Sequence, residues 1–466
     1  MFRPLEIFLF RILRFFFPKA ATVMRAIYAH QTTVTNKSDS DSDSDSTFNS
    51  ALNVTDLVSY HDVFNQSNIN KKCIAVISPM PPAQTGIADY TFLSFVQNDI
   101  ETHFYGDYSD IDIMLQQRKK LLENNSSKFL SVNVYNNASK FIDYALEVFV
   151  LGNSDHNLKM ATALLTTKKR DARRVLYLHD LCLFNLLFIT CIELNLSYVQ
   201  ILRDAYADRD PDVLNDKNIF DIHNLMEHGI YALKPFVDLG LIDEVWVNSS
   251  AARKLAETDL RAKKSIVIKE TFLPIPTISL EKTGEFKDDY IRIGSFGLPN
   301  DGKDTPKIIK AVQKLVDKGL KIKLVIAGYL ANEYFSNNYS SESSIPDFIE
   351  VHDSPNEDEL FRLMGTVDLA IQLRKKSLGE SSGVVPQLLT LKKNVIVTKI
   401  GSFTDYGEAV RMVDNSISAD ELSKVINDEL LHTGGRASDI DSYLNSHGVN
   451  NFIEFVNSRI PNGSKK

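Results

Sequence analysis

Short apolar runs alternate with longer amphipathic stretches along most of the chain, and the alternation starts a second time near its middle. A continuous apolar run predicts a strand of a parallel sheet that is covered on both faces. The runs form two sets, which are 73–77, 146–151, 174–178 and 243–248, and then 291–296, 323–327, 348–352, 367–373 and 394–398. Between the runs, apolar residues recur at helical spacing, as in 305–318.

The restart of this pattern predicts two domains. A linker that contains Pro274 and Pro276 follows the first set of strands, and mostly polar residues continue to Asp289. We therefore expect an α/β fold with two doubly wound, Rossmann-like domains at 71–275 and 285–435. The carboxyl ends of both sheets should face one central cleft, where open α/β sheets bind their ligands. The remaining residues, 436–466, predict a C-terminal helix that packs back on the body.

The first seventy residues differ from the rest. Residues 1–30 begin with a helical pattern in which Arg3, Arg11 and Arg14 lie opposite an arc rich in Phe, Leu and Ile. This predicts an amphipathic helix whose residues 1–20 lie in a membrane interface. A docked core helix and a targeting peptide are the alternatives. Residues 31–70 contain alternating Ser and Asp, which predicts a disordered linker.

Composition excludes several classes of protein. The 466 residues carry a net charge of −8, which argues against nucleic-acid binding, and 44% of them are hydrophobic, which is enough for buried cores. No apolar run reaches the length of a transmembrane helix. The three cysteines form no CxxC pair, so we expect buried thiols in a reducing compartment. No spacing typical of a metal site occurs, and we expect neither metal nor cofactor.

The stretch KCIAVISPMPPAQTGIAD, residues 72–89, is the most distinctive in the chain. Its apolar run is stopped by prolines, and Gly86 then opens a segment with helical spacing. A glycine at a junction between strand and helix allows backbone amides to approach an anion, and the start of a helix favours negative charge. This loop is therefore a candidate anion site.

Further short motifs each follow a predicted strand. They are LGNS with His156 (151–156), LHD (178–180), IGSFG with Lys303 (293–303), LR (373–374) and GESSG (379–383). Together with PMPPAQTGIADY, this ordered series resembles the glycosyltransferase group 1 enzymes, which are family 4 of the retaining glycosyltransferases with GT-B architecture. The resemblance spans about residues 72–415.

This resemblance implies an enzyme that transfers a sugar from a nucleotide-sugar donor to a glycan or lipid-linked glycan, with retention of configuration. The donor is expected in the second domain, the acceptor in the first, and no metal is needed. The implied catalytic residues are Glu380, Arg374, Lys303 and His179. The implied donor-binding residues are Gly86, Gly297, Lys303, Arg374, Glu380, Ser381, Ser382 and Gly383. The implied acceptor-side residues are Asp89, Asn153, His156 and Asp180.

The residue types suit this chemistry. A departing nucleoside diphosphate gains negative charge, which cations at strand ends stabilise. Arg374 and Lys303 are such cations, and we predict that they bind the same diphosphate; the alternative is two solvated surface charges. Glu380 is expected to contact donor sugar hydroxyls, or else only to cap the following helix.

Other assignments stay open. Asp180 is either part of a sugar-binding His-Asp pair or a plain helix cap, and Asp89 either contacts substrate or orients the Gly86 loop. The chain departs from the family pattern at Leu388, where a second glutamate usually holds the ribose. This departure leaves the nucleotide undetermined.

Two other functions share the predicted architecture. They are a nucleotide-sugar epimerase and a catalytically silent module that binds glycans or nucleotides. The favoured interpretation is a transferase of polysaccharide or glycoconjugate biosynthesis, located in the cytoplasm and peripherally on the cytoplasmic face of a membrane.

Overall fold

The computed structural model describes residues 73–460 except 84, 97, 109–111, 117–126, 262–264, 276–288, 340–343 and 432–435, together with Thr55, Asp56, Ser59 and Asp62. All of these residues belong to the unit Val54–Lys466. The predicted helix of residues 1–30 lies outside the described residues, as does most of the predicted linker of residues 31–70.

The first sheet has seven parallel strands in the order β3-β2-β1-β4-β5-β6-β7. The strands are β1 (Cys73–Ile77), β2 (Thr102–Gly106), β3 (Lys128–Ser131), β4 (Tyr144–Leu151), β5 (Arg173–Leu178), β6 (Glu244–Val247) and β7 (Val267–Glu270). Both faces of this sheet are covered, because alternate residues of β1 enter two different apolar clusters. We call this sheet and its helices the first lobe.

The helices of the first lobe connect these strands. They are α1 (Gly86–Phe95), α2 (Tyr135–Ala138), α3 (Leu158–Thr166), α4 (Phe184–Glu193), α5 (Tyr198–Ala205), α6 (Ile222–Glu227), α7 (Lys234–Leu239) and α8 (Ser250–Asp259). Short 3-10 helices occupy Val132–Val134, Asp155–Asn157 and Pro211–Leu214. The three cysteines are free and buried in this lobe, as expected from the sequence.

The second sheet has six parallel strands in the order β10-β9-β8-β11-β12-β13. The strands are β8 (Ile291–Phe296), β9 (Ile322–Gly328), β10 (Ile349–Asp353), β11 (Leu369–Gln372), β12 (Asn394–Thr398) and β13 (Arg411–Val413). The helices are α9 (Thr305–Val316), α10 (Ala331–Asn338), α11 (Glu357–Thr366), α12 (Val384–Thr390) and α13 (Ala419–Leu431), with a 3-10 helix at Gly401–Ala409. These elements form the second lobe, and its sheet is also covered on both faces.

Two C-terminal helices, α14 (Ala437–Ser446) and α15 (Val449–Asn457), return the chain to the first lobe. The Phe452 ring of α15 packs edge-on against Phe95 of α1, with 5.5 Å between ring centroids, and Phe455 packs against Trp246 of β6 at 4.9 Å. In contrast, Ile440 of α14 is buried in a cluster of the second lobe. The C-terminal helices therefore join the two lobes.

The α/β fold with two Rossmann-like sheets is confirmed, and each run predicted as a strand overlaps an observed strand. Strands β2, β3, β7 and β13 were not predicted. Strand β2 carries a buried His103, whose Nδ1 lies 2.8 Å from the Tyr144 hydroxyl, so a residue distant in sequence satisfies this polar ring.

The prediction that residues 31–70 are disordered is wrong for four residues of this range. Thr55, Asp56, Ser59 and Asp62 have helical backbone, and the first three are buried. The Ser131 N–H donates to Ser59 Oγ at 2.9 Å, and the Ser131 hydroxyl donates to Asp56 Oδ1 at 2.5 Å. These hydrogen bonds offset the loss of chain entropy that a polar composition alone does not offset.

Candidate active site

Arg374 follows β11 and is positioned by the neighbouring strand. Its N–H donates to Thr398 Oγ1, at the end of β12, over 2.9 Å, and its carbonyl accepts from the same hydroxyl. The guanidinium carbon lies 5.2 Å from the centre of the Phe403 ring. Only 17% of the side chain is exposed. Arg374 is therefore a largely buried cation with a defined position, not a solvated surface charge.

Lys303 lies in the loop after β8, beside the loop that carries Arg374. The Lys375 N–H donates to the Gly302 carbonyl at 2.8 Å, which joins the two loops. The ammonium packs against Gly297, where a Cβ would lie 2.4 Å from Nζ, and the φ of +88° also requires glycine. Burial, together with the repulsion of the Arg374 charge, lowers the pKa of Lys303 to about 8.

Glu380 lies in the GESSG turn and accepts hydrogen bonds from three directions. The Arg374 guanidinium donates to Oε1, while the Leu378 N–H (2.6 Å) and the Ser377 hydroxyl (3.4 Å) donate to Oε2. Helix α12 begins at Val384 and has no side-chain cap. The interpretation of Glu380 as a helix cap is therefore wrong, and its carboxylate instead lies against the Arg374 cation.

The GESSG turn also contacts the first lobe. The Tyr90 hydroxyl of α1 donates to the Gly383 carbonyl at 2.5 Å, and the Ser381 N–H donates to the His179 carbonyl at 3.4 Å. Gly379 has a φ of +86°, and a Cβ there would lie 2.8 Å from Leu181 Cβ. The two lobes are thus closed on each other at this turn. Within the turn, Ser382 is buried.

His179 and Asp180 lie directly opposite the turn. His179 is buried, its Nε2 has no hydrogen-bond partner among the described residues, and burial lowers its pKa to about 4. The ring is therefore neutral at physiological pH. Burial raises the pKa of Asp180, whereas the Asn153 N–H and the Arg374 charge lower it. Its carboxylate is thus within electrostatic reach of Arg374.

Asp180 and Asn153 connect the loops after β4 and β5. The Asn153 N–H donates to Asp180 Oδ2 at 2.9 Å, and Asn153 Oδ1 accepts from the Leu186 N–H of α4 at 3.0 Å. Asp180 does not cap α4, which has Leu183 at its N-cap position and no side-chain cap. The plain-cap interpretation of Asp180 is therefore wrong.

Three other predicted residues have no hydrogen bond to this cluster among the described residues. Gly86 is exposed at the start of α1, which Thr85 caps through its hydroxyl. Asp89 retains contact with solvent, yet desolvation and the charge of Glu357 raise its pKa to about 6. His156 is exposed on the 3-10 helix Asp155–Asn157, and no hydrogen bond among the described residues joins it to the cluster.

Sequence reasoning missed the role of Tyr90, which it treated as an apolar position of a helix. The tyrosine hydroxyl could have revealed this role, since a buried tyrosine hydroxyl generally has a hydrogen-bond partner.

Sequence reasoning also left Leu388 unexplained. Leu388 is fully buried on the core side of α12, among the apolar residues that cover the second sheet, so an ionised glutamate would be desolvated there.

For the nucleotide-sugar donor that the sequence leads us to expect, replacing Tyr90 with phenylalanine should raise the KM about fivefold, with a smaller change in kcat. The variant loses a hydrogen bond that exists only when the lobes are closed, so the binding-competent arrangement is less populated. Steady-state kinetics test this. The control is Tyr144→Phe, which removes a buried hydroxyl that bonds within the first lobe, to His103 and Tyr105. Equal KM values for both variants would contradict the prediction.

Two features are absent from the described residues. These residues contain no group of three or more His, Cys, Asp or Glu arranged to hold a metal ion. None of their helices has the length and apolar character that a membrane crossing requires.

Comparisons with known proteins reveal similarity in structure only. No protein-family profile and no curated protein sequence matches the chain. Among solved structures, sucrose-phosphate synthase from Thermosynechococcus elongatus matches with a TM-score of 0.55 and 12% identity, covering 83% of this chain and 98% of that one. The trehalose-phosphate synthase of Burkholderia xenovorans, in complex with glucose-6-phosphate, matches at 0.54 and 11%, covering 83% and 99%.

A third similar structure is HepE from Anabaena in complex with UDP-glucose, with a TM-score of 0.53 and 14% identity, covering 83% of this chain and 98% of that one. All three span nearly the whole of their own chains in the alignment, so the similarity includes both sheets. The chain therefore has the GT-B fold, with two Rossmann-like lobes.

Proposed function

We propose that this protein is a retaining glycosyltransferase of the family 4 type, which transfers a sugar from a nucleotide-sugar donor to a hydroxyl of a glycan or lipid-linked glycan. One observation carries the proposal. Two partly buried cations, Arg374 and Lys303, lie in adjacent loops at the carboxyl ends of β11 and β8. They lie in the second lobe, next to Glu380 and the lobe contact. The complexes of HepE with UDP-glucose and of trehalose-phosphate synthase with glucose-6-phosphate support this choice of substrates.

The two cations act on the leaving group. As the bond between the anomeric carbon and the phosphate oxygen breaks, negative charge grows on the diphosphate, and Arg374 and Lys303 stabilise it. The backbone N–H groups of Ser382 and Gly383 add donors near the start of α12. Arg374 and Glu380 are largely buried, so each interaction is stronger than it is in bulk solvent.

The acceptor oxygen forms its new bond on the same face of the sugar from which the diphosphate departs. The leaving phosphate oxygen takes the acceptor proton, so no strong protein base is needed. His179, which is neutral, has a ring nitrogen available to hydrogen-bond a sugar hydroxyl. Glu380 exchanges its bond to Arg374 for donor sugar hydroxyls, since the diphosphate competes for the guanidinium. Asp89, Asn153, His156 and Asp180 line the acceptor side.

A panel of nucleotide sugars tests the function. Purified protein is incubated with each donor and with simple glycoside acceptors, and both the released nucleotide and the product anomer are measured by NMR. We expect release that depends on the acceptor, and a product with the configuration of the donor. Conversion of the donor without an acceptor would instead indicate an epimerase. Binding of donors without any turnover would indicate a silent binding module.

We also propose that the enzyme works at the cytoplasmic face of a membrane, in polysaccharide or glycoconjugate biosynthesis, with residues 1–20 in contact with lipid. Deleting residues 1–30 is expected to abolish co-sedimentation with vesicles that contain anionic lipid. The arginines Arg3, Arg11 and Arg14 lose their attraction to lipid phosphates, and the Phe-rich arc no longer inserts. Vesicles of neutral lipid are the control for the electrostatic part. Equal sedimentation of full-length and truncated protein would contradict this proposal.

A further inference from the structure

A cavity of about 250 Å³ lies between the lobes on the side of the C-terminal helices. Its walls come from three parts of the fold. Asn248 and Thr271 follow β6 and β7 of the first lobe, Ser381 and Asp405 belong to the second lobe, and Tyr443 belongs to α14. The cavity adjoins the GESSG turn and shares Ser381 with the proposed donor site, but neither Arg374 nor Lys303 lines it, so it does not coincide with the proposed diphosphate site.

Three residues that line this cavity each carry a buried polar atom that has no hydrogen-bond partner among the described residues. These atoms are Asn248 Nδ2, Thr271 Oγ1 and Ser381 Oγ. Asn248 and Thr271 are only 7% and 8% exposed, and buried polar groups are nearly always satisfied. The Tyr177 hydroxyl donates to Asn248 Oδ1 at 2.7 Å, which holds one end of the amide and leaves the other free for a ligand. The function proposed above uses neither Asn248 nor Thr271.

The apolar part of the wall is aromatic and ordered. The rings of Tyr443 and His447 are stacked, with 3.9 Å between centroids and an interplanar angle of 11°, and Phe272 contacts His447 at 4.8 Å. All three residues line the cavity, as does Phe455. Aromatic side chains of this kind offer weakly polar contacts to the C–H groups of a sugar ring.

The residues that line the cavity indicate which charge and hydrogen-bonding groups a ligand should have. The carboxylates of Glu270 and Asp405 would attract an ammonium, but an ammonium cannot satisfy Asn248 Nδ2, because both groups only donate hydrogen bonds. An anion would be repelled by the carboxylates of Glu270 and Asp405, which also line the cavity. A ligand with hydroxyl groups both donates and accepts, and it carries no charge. The volume corresponds to about eight water molecules at ~30 Å³ each, which is enough for one sugar ring.

We propose that this cavity is a second carbohydrate site, which binds one neutral monosaccharide unit. Because its walls come from both lobes and from the helices that join them, an occupied cavity stabilises the closed arrangement of the lobes. The sugar therefore binds the closed protein better than an open one, and it shifts the population toward closure. This proposal goes beyond the transfer reaction and does not depend on it.

Isothermal titration calorimetry with glucose, galactose, mannose and N-acetylglucosamine tests the site on the full-length protein. We expect at least one of these sugars to bind. Thr271→Val should weaken that binding about fivefold, because it removes a single hydroxyl and keeps the shape. Thr271→Phe should abolish it by filling the cavity. The matched control is Thr167→Val, since Thr167 is equally buried with an unpartnered hydroxyl but lies outside the cavity.

Glu380→Ala separates this site from the donor site, and it should leave monosaccharide binding unchanged. Loss of binding in Glu380→Ala, with both Thr271 variants unaffected, would place the sugar in the donor site and overturn the proposal. No binding of any sugar to the wild type would also overturn it, because the polar atoms would then be satisfied by water alone. If Thr271→Phe does not fold, Thr271→Val still decides the outcome. If the transfer assay shows no activity, this calorimetry still tests whether the cavity binds a sugar.

Discussion

Alanine in place of Arg374 is expected to lower the rate of sugar transfer by about 100-fold or more, the loss found when a preorganised donor to a developing negative charge is removed. The guanidinium is largely buried and held by Thr398 and Phe403, so water replaces it poorly. Steady-state and single-turnover kinetics with the donor identified in the panel measure the effect. A rate within threefold of wild type would show that Arg374 is not at the leaving group.

Lys375→Ala is the matched control for this substitution. Lys375 is the adjacent cation, but it is about half exposed and lies 3.7 Å from the carboxylate of Asp304. Asp304 keeps its ion pair with Lys307 in this variant, and a half-exposed lysine at such a distance contributes little, so we expect less than a twofold change in the rate of transfer.

Lys303 provides a second readout of the same site. In the proposed function the Lys303 ammonium binds the diphosphate, and its pKa of about 8 lies below the usual value for lysine. The ammonium is therefore present below pH 8 and is lost as the pH rises through 8, so the preference for nucleoside diphosphate over monophosphate should fall between pH 7 and pH 9. In Arg374→Ala this decline should move to higher pH, because one cause of the lowered pKa is gone. In Lys303→Arg it should disappear, since arginine stays protonated.

Calorimetry with nucleoside mono- and diphosphates checks this expectation. The proteins are the wild type, Lys303→Met, Arg374→Ala and the double variant, and a non-additive loss of affinity in the double variant would show that the two cations share one ligand. A diphosphate preference that neither single variant changes would show that these residues lie outside the donor site.

Replacing Glu380 with alanine is expected to lower kcat at least tenfold, which corresponds to about 1.4 kcal/mol of transition-state stabilisation. The same variant should bind nucleoside diphosphate as well as the wild type or better, because the Arg374 guanidinium no longer has a competing carboxylate. This split between turnover and affinity distinguishes a sugar contact from a merely structural role.

The exposed Glu408, on the 3-10 helix Gly401–Ala409, supplies the control for Glu380, and Glu408→Ala should leave both quantities unchanged. A Glu380→Ala variant with normal kcat and normal thermal stability would reduce Glu380 to a residue that only orients Arg374. In that case the donor sugar must be held by other groups of the GESSG turn.

The sequence by itself determined the class of fold. Fully buried parallel strands need long apolar runs, and a purely local pattern reveals these, as in β1 and β9. It also placed Arg374, Lys303 and the GESSG turn at strand ends, because a motif that follows such a run must lie at the carboxyl edge of the sheet. This placement uses only the order of strands and motifs along the chain, which the sequence contains.

Tertiary structure alone decided which groups meet. The Tyr144 hydroxyl satisfies the buried His103 of β2, and Ser131 forms hydrogen bonds with Ser59 and Asp56, which are 72 and 75 positions away. The partner of Tyr90 is a carbonyl 293 positions away, and the neutral state of His179 follows from burial that no local pattern records. Burial and hydrogen bonding are properties of the packed molecule, since each depends on chain segments distant in sequence, and so they appear only once the two lobes are folded and closed.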